Sequence, residues 1–261
     1  MNRSLAFIFV VALTLFGASC TPTSAPLIPI PAQEQVSVGG SWHDIGDGIS
    51  RLRYSFAPDH DSYLILYRIP ASGFTWRFAD DPVGHTVSTW RAMTGALIAV
   101  NGTYFDEALS PAGLFITASK RVGKGSFDAD KSGVIELAPT FALIDTPEER
   151  FDRAHAAEAA QSYPFLVLGG KPAVGSESGK SARRTFIGTD TDGNRYVGIV
   201  PDAPLTLYRL ARVLTKTGVT WDRVLNLDGG PSSGLAAKTE RSDETADSLV
   251  PVPDVIVIER R

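Results

Sequence analysis

The densest group of chemistry-bearing residues is Asn226-Leu227-Asp228-Gly229-Gly230-Pro231-Ser232-Ser233-Gly234, where an apolar run passes into a polar loop. Gly229 and Gly230 allow the backbone to approach a ligand closely or to take φ > 0, and Ser232 and Ser233 offer hydroxyls and N–H donors to an anion. The same residues also make a plain tight turn in which Asp228 bonds only its own backbone. A second segment, Asn101-Gly102-Thr103-Tyr104-Phe105-Asp106, follows the apolar residues 97–100 in the same manner. Asn101 can bond ligand hydroxyls and Tyr104 or Phe105 can lie beneath a sugar ring, although an ordinary Asn-Gly turn with core aromatics reads equally well. In the third, Arg183-Arg184-Thr185-Phe186-Ile187-Gly188, a guanidinium opens an apolar strand and suits bidentate recognition of phosphate. A solvated or carboxylate-paired strand-end charge is the alternative.

The elements that must hold these segments read mainly as strands. Short β-branched or aromatic runs predict strands at 63–69, 97–100, 114–117, 134–137, 141–144, 165–168, 184–189, 196–200, 224–227 and 255–258. Helices are predicted at 83–95, at the Ala-rich 152–161, and most clearly at 205–217, where Leu207, Leu210, Ala211 and Leu214 share one face before Gly218. The expected fold class is α+β: a mixed, strand-rich sheet with a few packed helices in a single domain over 39–261, the last run returning the C-terminus to the sheet. The part before Leu97 reads only as strand-rich.

Composition is that of a globular protein, with 43% hydrophobic and 21% charged residues, 24 Gly and 17 Pro. A net charge of -4 with no long basic run gives no footprint for nucleic acid. At the N-terminus, Arg3, an apolar stretch over 5–16, and Gly17-Ala18-Ser19 before Cys20 read as a secretory signal too short to span a bilayer. This resembles a bacterial lipoprotein signal with lipidation at Cys20, though Gly17 stands where leucine is usual; an incidental cysteine after an ordinary signal is the alternative. As the only cysteine, Cys20 excludes an internal disulfide. Residues 21–38, with Pro22, Pro26, Pro29 and Pro31, read as a semi-rigid tether, so the expected location is the bacterial cell envelope or periplasm.

Taken together, Asn101 to Phe105, Arg184 to Gly188, the Leu205–Leu214 stretch and Asn226 to Ser233 resemble, in this order, the motifs of the phosphodiester glycosidase family. Thr103 and Pro231 depart from it, each standing where the family has glycine; Pro231 also removes one backbone N–H. The resemblance implies hydrolysis at the anomeric carbon of a sugar-1-phosphodiester. Asp228 then serves as the carboxylate at that carbon and Asp106 as a second one. Arg184, rather than Arg183, takes the phosphate with Ser232 and Ser233. Asn101 and Asn226 orient sugar hydroxyls or carboxylates, with Gly102, Tyr104, Thr185, Gly229 and Gly230 completing the substrate site.

No cofactor is expected. The scattered His43, His60, His85 and His155 form no zinc-type pair, and a divalent cation on Asp228 and Asn226 is the lesser alternative. The expected partners are a carbohydrate or sugar-phosphate substrate and, through Cys20, a membrane. A non-catalytic carbohydrate-binding or exopolysaccharide-assembly protein is the main rival. A serine hydrolase and a phosphodiesterase attacking phosphorus are lesser ones.

Overall fold

The computed structural model describes residues 38–58, 61–123 and 125–261. The proposed signal, Cys20, residues 21–37 of the tether and His60 lie outside them. Alternating apolar and polar side chains in the first half build β1 (Trp42–Asp44), β2 (Ser50–Ser55), β3 (Tyr63–Ile69), β4 (Phe74–His85), α1 (Val87–Thr94), β5 (Ile98–Asn101), β6 (Phe115–Thr117), β7 (Lys120–Arg121), β8 (Gly133–Ala138) and β9 (Ala142–Asp145). The second half adds β10 (Glu158–Ser162), β11 (Phe165–Leu168), β12 (Lys171–Pro172), β13 (Ala182–Asp190), β14 (Arg195–Leu205), α2 (Leu207–Leu214), β15 (Trp221–Asn226), β16 (Leu235–Lys238), β17 (Asp243–Ala246) and β18 (Val252–Arg260).

These strands form three sheets, ordered β1-β2-β3-β14-β13-β15-β11-β12, β7-β6-β10-β8-β9 and β17-β16-β5-β18-β4. Their inner faces share one core: Ile65, Ile187 and Leu225 from the first, Phe115 and Ile135 from the second, Ile98 and Ile256 from the third. Period-two alternation sends neighbouring residues the other way. Phe186 and Val224 therefore meet Leu210, Ala211 and Leu214 of α2 on the outer face of the first sheet. Ala99 and Val257 likewise meet Val87 and Trp90 of α1 on the third.

The strand-rich character is as expected, but the domain is mostly β rather than α+β, with three sheets and, among the described residues, two α-helices. Residues 83–85 complete β4, and α1 starts only where the Thr86 hydroxyl caps the Thr89 N–H; Gly95, at φ 68°, ends it. The Ala-rich segment is not helical. Asp152 makes a turn with Ala154, and β10 then runs antiparallel between β6 and β8 with Ala159 and Ala160 fully buried. Small side chains in a central strand and two rows of sheet hydrogen bonds outweigh helix propensity there. The C-terminal β18 joins β5 and β4, not the sheet of β13 and β15.

Candidate active site

Five strands bring polar residues to one rim of the shared core. β5 ends there at Asn101, β15 at Asn226 and β10 at Ser162, while β13 and β18 bring Arg184–Thr185 and Asp254 near their starts. Asn101, 1% exposed, donates from Nδ2 to the Asp228 carbonyl at 2.9 Å, and its Oδ1 accepts from the Gly234 N–H at 3.1 Å. The Thr185 hydroxyl stands 2.8 Å from Asn101 Oδ1 and 2.9 Å from the Asp228 carbonyl, sharing its one proton between them. Asn226 donates to the Tyr104 hydroxyl at 2.7 Å, which in turn donates to the Tyr163 carbonyl at 2.9 Å. Ser162 ties the second sheet in, donating to the Asn226 carbonyl at 2.6 Å. Asn101 thus spends both ends of its amide on the two loops, whereas Asn226 spends Nδ2 on Tyr104, Tyr163 and Leu227 and keeps a buried Oδ1 without a partner.

Asp228 is half-buried, with Oδ1 accepting its neighbour's Gly229 N–H at 2.8 Å. Burial pushes its carboxyl above the ordinary value, while the Ser232 hydroxyl, the Gly229 N–H and the Arg184 charge pull it back. Arg184 donates from Nε to the Leu205 carbonyl at 2.9 Å and from Nη2 to that of Lys180 at 2.8 Å, which fixes the guanidinium plane. Burial lowers its pKa, and the Tyr104 and Asp228 charges raise it. Arg184 and Asp228 therefore feel each other without a direct ion pair among the described residues.

The glycines have specific reasons. A Cβ on Gly229 would stand 3.2 Å from Arg184 Nη1 and from the Arg183 carbonyl, so glycine keeps the loop against the guanidinium. Gly230, at φ 64°, starts a 3₁₀ turn over Gly230–Ser232. The Ser233 N–H is spent on the Gly230 carbonyl at 3.2 Å, whereas the Ser233 hydroxyl is buried and unpartnered. Gly102 packs on Asp254: its N–H donates to the Asp254 carbonyl at 3.0 Å, and a Cβ there would lie 1.6 Å from Asp254 Oδ1.

Two expected residues stand apart. Asp106 is exposed, and its Oδ1 accepts from the Ala108 and Ser110 N–H groups at 2.9 Å each, so its carboxylate shapes its own turn. Phe105 packs with the outer cluster under α1, leaving Tyr104, whose ring centroid lies 4.8 Å from that of Tyr163, as the aromatic at the rim. Arg183 turns away to the Asp247 carbonyl at 3.0 Å. His85 pairs with Asp81 and His155 with Asp152, and no group of three or more metal-ligating side chains occurs among the described residues.

Sequence reasoning missed Asp254, Tyr163 and Ser162. Asp254 did leave a signal: it is the only charge in the apolar run 252–258. Tyr163 and Ser162 left none, because sheet pairing alone brings them to the rim.

A family model of phosphodiester glycosidases matches residues 94–259, and the chain belongs to that family. Among solved structures it is similar to the catalytic domain of zebrafish N-acetylglucosamine-1-phosphodiester alpha-N-acetylglucosaminidase. The TM-score is 0.60 at 15% identity, over 86% of this chain and 87% of that one. A hypothetical protein from Synechocystis is also similar, at TM-score 0.55 and 15% identity over 86% of this chain and 64% of that one. At these identities the likeness is one of fold. A search of the curated proteins finds no match.

Proposed function

We propose that this chain is a phosphodiester glycosidase that hydrolyses the bond between a sugar's anomeric carbon and the oxygen of its phosphodiester, acting on an envelope glycan or glycoconjugate. The observation that carries this reading is the pairing of a half-buried Asp228 with an Arg184 whose charge acts on it across the Gly229 turn. Family membership supports it.

In this reading the scissile bond is C1–O. Asp228 stabilises the oxocarbenium-like carbon or activates the water that attacks it. The water oxygen ends on C1, the bonding pair leaves with the phosphate oxygen, and the leaving group is a phosphate monoester that needs little protonation. Arg184 binds that phosphate, while the Ser232 hydroxyl is spent on Asp228 and the Ser233 hydroxyl is buried, which takes both out of the phosphate role that the family resemblance implies. The fixed guanidinium plane costs no reorganisation as charge accumulates. Tyr104, stacked near Tyr163, offers a flat surface to a sugar ring. These steps are carried by protein side chains and water. Export through the 1–20 signal and anchoring at Cys20 would place the domain beside envelope glycans.

The test is release of free sugar from a panel of α- and β-linked sugar 1-(methyl phosphate) diesters by the purified domain, with Asp228→Asn as control. Release by the wild type alone supports the reading. Binding of envelope glycan without release from any diester would favour the carbohydrate-binding alternative.

A further inference from the structure

Asp254 enters the apolar strand β18 and is 2% exposed. Its Oδ1 accepts the Thr103 N–H at 2.9 Å, its own carbonyl accepts the Gly102 N–H, and Oδ2 is buried without a partner. The turn it grips is the one that reaches the site. The Gly102 carbonyl accepts the Asp228 N–H at 3.3 Å, and Asn101, one residue earlier, holds the Asp228 carbonyl. Asp228 is therefore hung by both its N–H and its C=O from a turn whose underside rests on Asp254. Only a glycine at position 102 permits that approach.

Resting on the reading that Asp228 is the reacting carboxylate, we propose that Asp254 is a positioning residue: held beneath the Gly102–Thr103 turn, it fixes where Asn101 and Asp228 stand without touching substrate. Its charge also reaches the site. Burial pushes the Asp254 carboxyl up to about 7, the Thr103 N–H pulling it down and the negative charges of Asp228 and Asp80 pushing it further up. On β4, Asp81 adjoins Asp80 and is itself paired with His85 at 3.1 Å. As pH rises through neutrality, a second negative charge therefore appears behind Asp228 and raises its affinity for a proton.

Two variants separate the acceptor from the charge: Asp254→Ala removes both, and Asp254→Asn keeps an acceptor for the Thr103 N–H. Amide hydrogen exchange at Thr103 reads the turn directly, and turnover of a sugar 1-(methyl phosphate) reads the site. In Asp254→Ala, Thr103 exchange is expected to quicken roughly tenfold or more. Its kcat should fall by about tenfold with KM changed less than about threefold. Asp254→Asn should restore the Thr103 protection and most of the lost rate, while its pH–rate profile loses the wild-type inflection near 7.

Unchanged Thr103 exchange in Asp254→Ala, or a persisting inflection in Asp254→Asn, overturns the proposal. If Asp254→Ala does not fold, the Asp254→Asn profile decides. If the wild type turns over no diester, the reaction assignment fails, and Thr103 exchange still decides whether Asp254 holds the turn.

Discussion

Two loops leave the core of this protein through a buried asparagine, one after Asn101 and one after Asn226, and each carries an aspartate within five residues. Their carboxylates have opposite fates. Asp228 is half-buried and feels Arg184 and Ser232. Asp106 stands in solvent and accepts two N–H groups of its own turn. The local patterns resemble each other, and the difference comes from burial, from the Gly229 and Ser232 donors of the second loop, and from what the rest of the fold sets beside it. β13 supplies Arg184 to the second loop, whereas the tip of the first meets no such cation in the hydrogen bonds and ion pairs of the described residues. The environment of Asp228 is thus set first by partial desolvation, then by the Ser232 and Gly229 donors of its own loop, and then by the Arg184 charge that β13 adds.

The largest expected effect sharpens that contrast. Asp228→Asn should lower kcat on the order of a thousandfold, about 4 kcal/mol, with the melting temperature nearly unchanged. Asp254 predicts a stability effect of comparable size. It keeps its proton in the fold up to about 7, whereas an unfolded aspartate ionises near ~3.9. Between those values the folded state binds more protons, so stability should fall as pH rises from about 4 to about 7 and level off above. Melting curves of Asp254→Asn should show that slope flattened, a gain on the order of 3–4 kcal/mol relative to wild type across the window.

Arg184→Ala should weaken binding of a sugar-1-phosphodiester roughly a hundredfold and binding of the free sugar only a few-fold, measured by calorimetry. Equal losses for both ligands would remove Arg184 from the phosphate. Gly229→Ala, which pushes a methyl against Arg184 Nη1, should cost about tenfold in kcat/KM. Smallest is Asp106→Asn, expected to change kcat/KM less than about threefold. A loss there as large as that of Asp228→Asn would erase the distinction between the two loops.

Much of the site was legible because its residues border apolar runs: Asn101, Thr185 and Asp228 flank strands and are hydrogen-bonded to one another, and Asn226, closing β15, holds the Tyr104 hydroxyl. The amphipathic face of α2 was equally plain, with Leu210, Ala211 and Leu214 buried as its spacing implied. Other features depended on pairings between distant segments. Asp254 is harmless or expensive according to what β18 packs on, and its Thr103 contact spans 151 positions of chain. β4 escaped notice because Asp80, Asp81 and Pro82 interrupt its alternation, and β10 because alanines signal helix until two neighbouring strands claim them. The division into three sheets likewise follows from register, which short apolar runs do not specify.

The most direct test of the central claim is hydrolysis of a sugar 1-(methyl phosphate) in ¹⁸O-water by wild type and Asp228→Asn, with the products weighed by mass spectrometry. Attack at the anomeric carbon beside Asp228 predicts ¹⁸O in the released sugar, none in methyl phosphate, and no product from the variant. Label in the phosphate, or equal turnover by Asp228→Asn, would contradict it.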